Sequence, residues 1–280
     1  MGKKRGLNKV KQWAIGVGVA IMILLTIPTF AQENPPKLRY VNLGVGYTIP
    51  KFLDNSFSEL RYRGRAGSVN TGVYWANRDT TVHHHFTVRF DYGLMSAFAL
   101  EFADVNAFRL EGNYAYERYV RSFLNGRVRW YAGGAFNSLW TLWQFENFSN
   151  NSLDNSFYFS LSPTTSLEYP FRLWRRRFRV TWSAFVPVLT AAVRPSYGTT
   201  RFSGFLDDDR DEPVKQFLES IQIVSLNRFF RYSNTLALEY YLNNNNRLRL
   251  GYTWNYQQYD EPRLVQSASH NISISTMFNF

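Results

Sequence analysis

Residues 247–258, RLRLGYTWNYQQ, alternate between apolar and polar positions with almost no interruption. One parity carries Leu248, Leu250, Tyr252, Trp254 and Tyr256, and the other carries mainly arginine, threonine, asparagine and glutamine. Successive side chains of a β-strand point to opposite faces, so the stretch predicts a strand with one apolar and one polar face. Such a strand fits a soluble sandwich, in which the apolar face packs a core. It also fits a membrane barrel, in which the apolar face contacts lipid.

The same alternation recurs along the chain after residue 40. It predicts ten strands, which cover residues 41–49, 68–75, 85–92, 108–117, 127–142, 157–169, 179–188, 235–242, 247–257 and 271–280. Most of these segments reach the ~9–11 residues that a strand needs to cross a bilayer at a barrel's tilt. Strands of soluble proteins are usually only ~5–6 residues long. The sequence therefore predicts an all-β fold, a closed antiparallel up-and-down transmembrane β-barrel of about ten strands, with about 8–12 as the range.

The segments between the predicted strands alternate in length. Short links occupy about 77–82, 124–126, 170–177 and 243–246, and longer links occupy about 50–64, 96–105, 145–155, 195–231 and 258–266. Outer-membrane barrels have short periplasmic turns and longer extracellular loops, and an even number of strands leaves both ends of the barrel in the periplasm. We therefore expect the longer links, above all 195–231, to form the extracellular surface.

Charged side chains fall on the polar parity, while many tryptophan and tyrosine residues occupy the apolar parity near strand ends. Aromatic rings of this kind prefer the lipid–water boundary, so the polar parity is predicted to be the inside of the barrel. About ten strands lie between the roughly eight whose interior fills with side chains and the roughly 16–18 that leave an aqueous channel. We therefore predict a closed lumen in which opposite charges pair, through a network of Arg109, Glu111, Glu117, Arg127, Arg129, Glu239, Arg247 and Arg249.

The N-terminal segment has the pattern of a secretory signal peptide. Five basic residues precede the apolar run WAIGVGVAIMILLTI at 13–27. Thr29 and Ala31 are small residues before a cleavage site that leaves Gln32 as the mature N-terminus. The alternative is an uncleaved helical anchor, but the run is shorter than the ~20 residues that a spanning helix needs. We predict a signal peptide at 1–31 and one barrel domain at 32–280. The sequence contains no cysteine, so no disulfide framework is expected.

The charge balance is basic, with 32 basic residues against 21 acidic ones. Without the five cations of the predicted signal peptide the net charge is +6, which suggests contact with an anionic partner. The densest basic run is RLWRRRFR at 172–179, beside a predicted periplasmic turn. We expect it to contact anionic headgroups of the inner leaflet. Nucleic acid is not expected as a partner in this compartment.

The chain ends with HNISISTMFNF, an alternating stretch that finishes on phenylalanine. It resembles the C-terminal strand of bacterial outer-membrane β-barrel proteins. In that class the strand alternates apolar residues and ends on an aromatic residue that the barrel-assembly machinery recognises. Ile272, Ile274, Phe278 and Phe280 match those positions, and Thr276 is a weaker match. The asparagine-rich and aromatic composition resembles the small barrels of Bacteroidetes-type outer membranes. The resemblance implies an assembly signal at Phe278 and Phe280.

Three consecutive histidines, residues 83–85, stand at the start of the third predicted strand. Only His83 and His85 share a face, and two ligands without a third make a weak metal site. We expect interfacial polar residues at the barrel rim, with no metal and no cofactor.

An acidic stretch, LDDDRDEP at 206–213, superficially suggests a calcium loop. Counted from Asp207, the required glycine and glutamate positions hold Glu212 and Leu218. We therefore expect a solvated acidic loop.

Catalytic residues are not recognisable in the sequence. Lipid hydrolases among outer-membrane barrels carry a His-x-Ser-Asn motif or a relative of it, whereas His270 is followed by Asn271, Ile272 and Ser273. A triad can assemble in space, so an enzyme stays an alternative.

The leading hypothesis is a structural or interaction protein of the bacterial outer membrane that binds a protein or glycan through its extracellular loops. Outer-membrane lipids, lipopolysaccharide and the barrel-assembly machinery are the other expected partners. A narrow pore for small solutes, a lipid-modifying enzyme, and a subunit of an envelope or secretion assembly are the alternatives.

Overall fold

The computed structural model describes residues 38–55, 58–97, 100–145, 153–194, 220–261 and 263–280. The predicted signal peptide and the acidic stretch 206–213 lie outside these residues. Among the described residues, no helix is long and apolar enough to cross a bilayer. The described chain forms strands β1 (Arg39–Asp54), β2 (Ser58–Ala76), β3 (Val82–Ala97), β4 (Leu100–Phe123), β5 (Val128–Phe145), β6 (Leu153–Leu173), β7 (Arg176–Phe185), β8 (Leu189–Val193), β9 (Gln222–Ser225), β10 (Phe229–Tyr241), β11 (Arg247–Tyr259) and β12 (Val265–Asn279).

Antiparallel pairing joins these strands into one closed ring. Consecutive strands pair from β1 to β7, β7 pairs with β10, and β11 and β12 lead back to β1. β8 continues the pairing with β6 beyond the end of β7, and β9 pairs with β8. The strands β7 and β8 therefore form one interrupted strand of the barrel, and β9 and β10 form another. The barrel thus has ten strand positions. The predicted closed barrel of about ten strands is confirmed.

The strands are longer than the sequence pattern predicted, and most links are correspondingly shorter. β1 reaches Asp54 and β2 begins at Ser58, while β3 ends at Ala97 and β4 begins at Leu100. The predicted long links at 50–64 and 96–105 are therefore wrong. The links predicted at 145–155 and 258–266 shrink to 146–152 and 260–264.

One link remains long, and it distinguishes the two ends of the barrel. Residues 194–221 separate β8 from β9, and we call this end the long-link end. The opposite, short-turn end carries the links 77–81, 124–127, 174–175 and 242–246. Both Trp174 and Arg175 have positive φ, of 48° and 66°, as the primed turn of a tight hairpin requires.

The outward face of the barrel carries a band without Asp, Glu, Lys or Arg among its described side chains. On β1 the band runs from Val41 to Ile49, and on β11 it runs from Leu248 to Tyr256. Large apolar side chains are exposed in it, for example Ile274 with 57% of its surface accessible. A soluble protein of this size would bury such a continuous apolar belt, whereas a barrel presents it to lipid.

The polarity of the two faces inverts toward the long-link end. Along β2, Val69 and Val73 point outward and Ser68 inward, but nearer the long-link end the outward residues are arginines while Tyr62 and Ala66 are buried inside. Apolar lumen-facing residues form a cluster there: Phe52, Tyr62, Met95, Ala97, Val105, Ala107, Trp143, Phe145 and Val265. This end of the barrel is thus packed like a soluble β-protein, with its apolar side chains inside.

Candidate functional site

The middle of the lumen contains an ionic cluster around Glu111, here called the Glu111 cluster. Arg89 on β3 and Glu111 on β4 are directly paired across the two strands, and the Arg89 Nη2 to Glu111 Oε2 distance is 2.6 Å. Arg109 Nη2 lies 3.1 Å from the same oxygen, and Arg231 on β10 donates to the other carboxylate oxygen. Asp91 Oδ2 lies 3.3 Å from Arg89 Nε. One carboxylate thus holds three guanidinium groups.

The Glu111 cluster connects opposite walls of the barrel. β3 and β10 are five positions apart in the ring of ten, which makes them diametrically opposed. The side chain of Arg231 is 1% exposed and crosses the lumen to reach Glu111. Charge-assisted hydrogen bonds of this kind are about twice as strong as neutral ones. The cluster therefore connects the walls of the barrel across its lumen.

A second ionic cluster lies toward the short-turn end and is called the Glu239 cluster. Arg179 donates to Glu168 at 2.9 Å and to Glu239 at 2.7 Å. Arg247 donates to Glu239 at 3.1 Å and to the Tyr40 hydroxyl at 2.7 Å, with its guanidinium carbon 4.0 Å from the Tyr40 ring centroid. Two arginines and two glutamates balance each other here, so the cluster is neutral as a unit.

The three consecutive histidines divide between the two faces as their spacing predicted. His83 and His85 point into the lumen, where their ring centroids are 6.1 Å apart, and His84 points outward. His83 Nδ1 lies 3.8 Å from Glu168 and His85 Nε2 lies 3.9 Å from Glu117. His83 is buried rather than at an exposed rim. No group of three His, Cys, Asp or Glu side chains that could hold a metal occurs in the described part of the chain.

A polar cavity of about 170 Å³ lies beside the Glu239 cluster. Glu117 borders it and accepts hydrogen bonds from Thr164 at 2.9 Å and from Ser166 at 2.6 Å. Arg249 also borders it and makes no ion pair within the described residues. A water needs only about 10–15 Å³ of such space, so the cavity has room for several waters or one small polar molecule. Hydroxyl and amide groups complete its walls: Thr87, Asn113, Thr181, Ser183, Ser233 and Thr235.

Toward the long-link end the lumen becomes apolar. The rings of Phe52 and Trp143 stack at 4.3 Å between centroids, inside the apolar cluster described above. Arg194 donates to Asp54 at 2.6 Å and to the Glu261 carbonyl oxygen at 3.1 Å. These hydrogen bonds connect the start of the link 194–221 with the end of β1 and with the link 260–264. A second apolar cluster lies alongside and consists of Leu139, Tyr158, Ala192, Val224, Phe229 and Tyr259.

The residues predicted as a lumen network are not all in one place. Arg109 and Glu111 belong to the Glu111 cluster, and Glu239 and Arg247 to the Glu239 cluster. Arg127 lies in the turn 124–127 and is exposed, outside both clusters. The remaining members line the cavity or the short-turn rim: Glu117 and Arg249 border the cavity, and Arg129 is exposed with its Nη1 3.3 Å from Thr80 Oγ1. Phe278 and Phe280 both follow the outward parity of β12, and Phe280 is 56% exposed.

The predicted network omits five residues of the two clusters: Arg89, Asp91, Glu168, Arg179 and Arg231. For Arg231 the reason is that the sequence pattern places it in the long link 195–231, whereas β10 begins at Phe229. The signal was present, because Phe230 and Tyr232 alternate with Arg231 and Ser233 in the phase of the rest of the strand. The alternation of β10 thus reaches Arg231, four residues before the predicted strand begins at Thr235.

A protein-family model matches residues 19–280, and its description is "Protein of unknown function (DUF3316)". The chain belongs to the DUF3316 family. No curated protein matches this DUF3316 protein.

The fold is similar to that of a solved bacterial outer-membrane barrel, and further barrels match with lower TM-scores. The outer membrane protease OmpT from Escherichia coli superposes with a TM-score of 0.54 at 8% identity, over 90% of this chain and 100% of OmpT. The translocator domain of the autotransporter NalP from Neisseria meningitidis gives a TM-score of 0.40 at 6% identity, over 96% and 98% of the two chains. Neisserial surface protein A gives 0.33 at 11% identity, over 86% and 97%. At these identities the likeness concerns the fold, which proteins of different roles share.

Proposed function

We propose that this DUF3316 protein is an integral barrel of a bacterial outer membrane that does not conduct solutes and acts through its outward surfaces, without catalysis. The observation that carries the proposal is the Glu111 cluster, because it joins opposite walls across the middle of the lumen. Burying isolated charges in this lumen would cost free energy. In an ion pair each charge neutralises the other, and fewer water molecules are needed to hydrate them. The apolar clusters toward the long-link end add a second, dry barrier.

The predicted signal peptide and the aromatic C-terminal strand support export and insertion by a barrel-assembly machinery. The asparagine-rich and aromatic composition supports a Bacteroidetes-type envelope. In this proposal the long-link end faces the outside, because outer-membrane barrels place short turns in the periplasm and longer loops outside. Residues 194–221 then form the main contact surface for a partner protein or a surface glycan.

The proposal is tested by conductance in planar bilayers. The wild-type barrel should show negligible conductance, and so should the variant E111A/R231A alone, because the apolar barrier remains. A combined variant, E111A/R231A/F52A/W143A, removes the ion pair across the lumen and the stacked rings of the apolar cluster around Phe52, and it should conduct. The matched control R228A/E261A removes one exposed ion pair and should leave the barrel closed.

Heat-modifiable migration in electrophoresis serves as the check that each variant has folded. A large, steady and weakly selective conductance of the folded wild type would overturn the closed lumen.

The polar cavity favours a second candidate function, binding or slow passage of a small polar solute at the short-turn end. Its hydroxyl groups, the Glu117 carboxylate and the Arg249 guanidinium together resemble the few converging polar groups of a ligand site. Replacing Arg249 with alanine should then reduce solute uptake by cells without changing the amount of folded barrel. Unchanged uptake of small polar solutes in cells lacking the whole protein would remove this candidate.

A further inference from the structure

Four basic side chains face outward near the long-link end, and we call them the β1–β2 basic patch: Lys51, Arg61, Arg63 and Arg65. All four are exposed, and Lys51 is directly paired with Arg63 across β1 and β2. Alternate residues of one strand are about 7 Å apart, so the three arginines follow one line along β2. The patch begins immediately beyond the uncharged outward band, which on β1 ends at Ile49.

The charges of the β1–β2 basic patch are not neutralised within the described part of the chain. None of the four side chains has an ion-pair partner among the described residues. The outward acidic neighbours are Glu59, two residues beyond Arg61, and Asp104 on β4, which Ser96 separates from Arg63. Like charges placed directly opposite each other on a sheet are destabilising, so the patch favours an external anion.

On its β12 side the β1–β2 basic patch is flanked by uncharged residues. Lys51 pairs with Ala268 on β12, and Ala268 pairs with Tyr256 on β11. The next outward pair on those two strands is Gln266 and Gln258. These neighbours are uncharged, so the outward positive charge of the patch does not continue onto β12 and β11 at these positions.

An apolar slot lies directly below the patch. Gly67 points outward one step from Arg65, and it is paired with Tyr47 on β1 and with Tyr92 on β3. Both tyrosines are exposed, at 45% and 38%. Because glycine has no side chain, the outward surface between the two rings is recessed. The floor of this recess continues to Val69, which is 54% exposed.

We propose that the β1–β2 basic patch binds the phosphate groups of a phosphorylated glycolipid of the outer leaflet, with one of its acyl chains lying over Gly67 between Tyr47 and Tyr92. Guanidinium groups match phosphate geometry and form two parallel hydrogen bonds to it. A phosphate on a lipid stays at the boundary where the patch lies, while its acyl chains occupy the adjacent band. The patch and the slot together fit a headgroup joined to chains.

This inference rests on the proposed outer-membrane location with the long-link end outside. A second group of three exposed arginines, Arg118, Arg121 and Arg127, lies at the short-turn end and provides a matched control. It carries the same number of arginines, but the slot described above is not beside it.

The test measures binding of bis-phosphorylated lipid A to the folded full-length barrel in neutral detergent micelles. The variant R61S/R63S/R65S should lose affinity by about tenfold or more, since each basic residue near a lipid surface contributes substantially to binding. The control R118S/R121S/R127S should change affinity by less than about twofold, because exposed charges remote from the ligand are screened. The variant Gly67→Leu, which fills the slot and keeps every charge, should also weaken lipid A binding.

Three competitors distinguish the sources of phosphate. Dephosphorylated lipid A, phosphatidylglycerol and inorganic phosphate should each bind more weakly than lipid A. Equal losses in the two triple variants, or equal affinity for phosphatidylglycerol, would show a general anionic attraction and overturn the proposal. Displacement of lipid A by inorganic phosphate at similar concentrations would overturn it as well.

The failure of this inference differs from failure of the proposed function. A wild-type barrel that folds and stays closed, yet prefers no lipid, contradicts only the glycolipid site. A barrel that conducts contradicts the proposed function irrespective of the lipid result.

Discussion

Replacing Leu250 with arginine places a charge on the outward face of β11, within the uncharged band. Leu250 is 51% exposed, and it is paired with Leu238 on β10 and Ile274 on β12, which are outward and exposed as well. We expect Leu250→Arg to destabilise the folded barrel in a bilayer far more than Thr253→Arg. Thr253 lies three residues further along the same strand and points into the lumen.

The magnitude follows from the depth of Leu250 in the band. The outward residues of β11 run from Leu248 to Tyr256, so Tyr252 marks the centre and Leu250 is two residues away. At a rise of about 3.4 Å per residue and a tilt of about 40°, that displacement is only about 5 Å along the bilayer normal. A lipid-facing arginine costs about 2–4 kcal/mol at the midplane, so Leu250→Arg should cost about 2–3 kcal/mol.

Thr253→Arg has a different and smaller cost. Its hydroxyl lies 3.0 Å from that of Thr235, and this one hydrogen bond is lost. A neutral hydrogen bond contributes about 0.5–1.5 kcal/mol, and Thr235 borders the polar cavity, where a longer side chain finds space and carboxylates.

The assay is a reversible urea titration of the barrel in phospholipid vesicles, followed by tryptophan fluorescence. Leu250→Ala serves as the control for lost side-chain size without added charge. Equal free energies of unfolding for Leu250→Arg and Thr253→Arg, or a larger loss for Thr253→Arg, would refute the assignment of the two faces.

Three further results are expected. Glu111→Gln leaves three guanidinium groups around a neutral amide. It should lower the free energy of unfolding by about 3–5 kcal/mol in the same titration, as for other buried ion pairs that lose one partner. An unchanged unfolding midpoint would show that water already solvates the cluster. Deleting Phe280 should reduce insertion in cells and leave unfolded protein in the periplasm, and normal heat-modifiable migration of the deletion would show that the aromatic ending is incidental. An epitope tag at Asp208 should be reached by antibody on intact cells and one at Asn245, in a short turn, should not, whereas the reverse pattern would invert the proposed orientation.

The sequence predicted the barrel and the two faces of its strands because alternation has a fixed period wherever one side meets lipid and the other a polar lumen. It failed at the strand ends toward the long-link end. Arg61 and Arg63 fall in the predicted link 50–64, and Arg65 lies before the predicted strand 68–75, since a basic residue on the apolar parity looks like the end of a strand. In the structure the strand continues there while its two faces exchange polarity.

The lumen contacts were only partly predictable for a related reason. That Arg109 and Glu111 face inward follows from parity within β4. Which partner they meet depends on the arrangement across the barrel, and Arg231 comes from a strand 120 positions along the chain. Closure of the ring places β10 across the lumen from β4, and no periodicity along the chain encodes that arrangement.

The exchange of polarity along β1 and β2 also determines the position of the barrel along the membrane normal. If the barrel moved by two residues toward its short-turn end, Arg65 and Lys51 would enter the hydrocarbon. If it moved by two residues toward its long-link end, Arg39 would enter the hydrocarbon from the opposite side. The eight residue steps from Val41 to Ile49 span about 20 Å along the normal at a typical rise and tilt. That height is less than the ~30 Å of an average hydrocarbon core, so this side of the barrel matches a thin membrane and compresses the lipids of a thicker one.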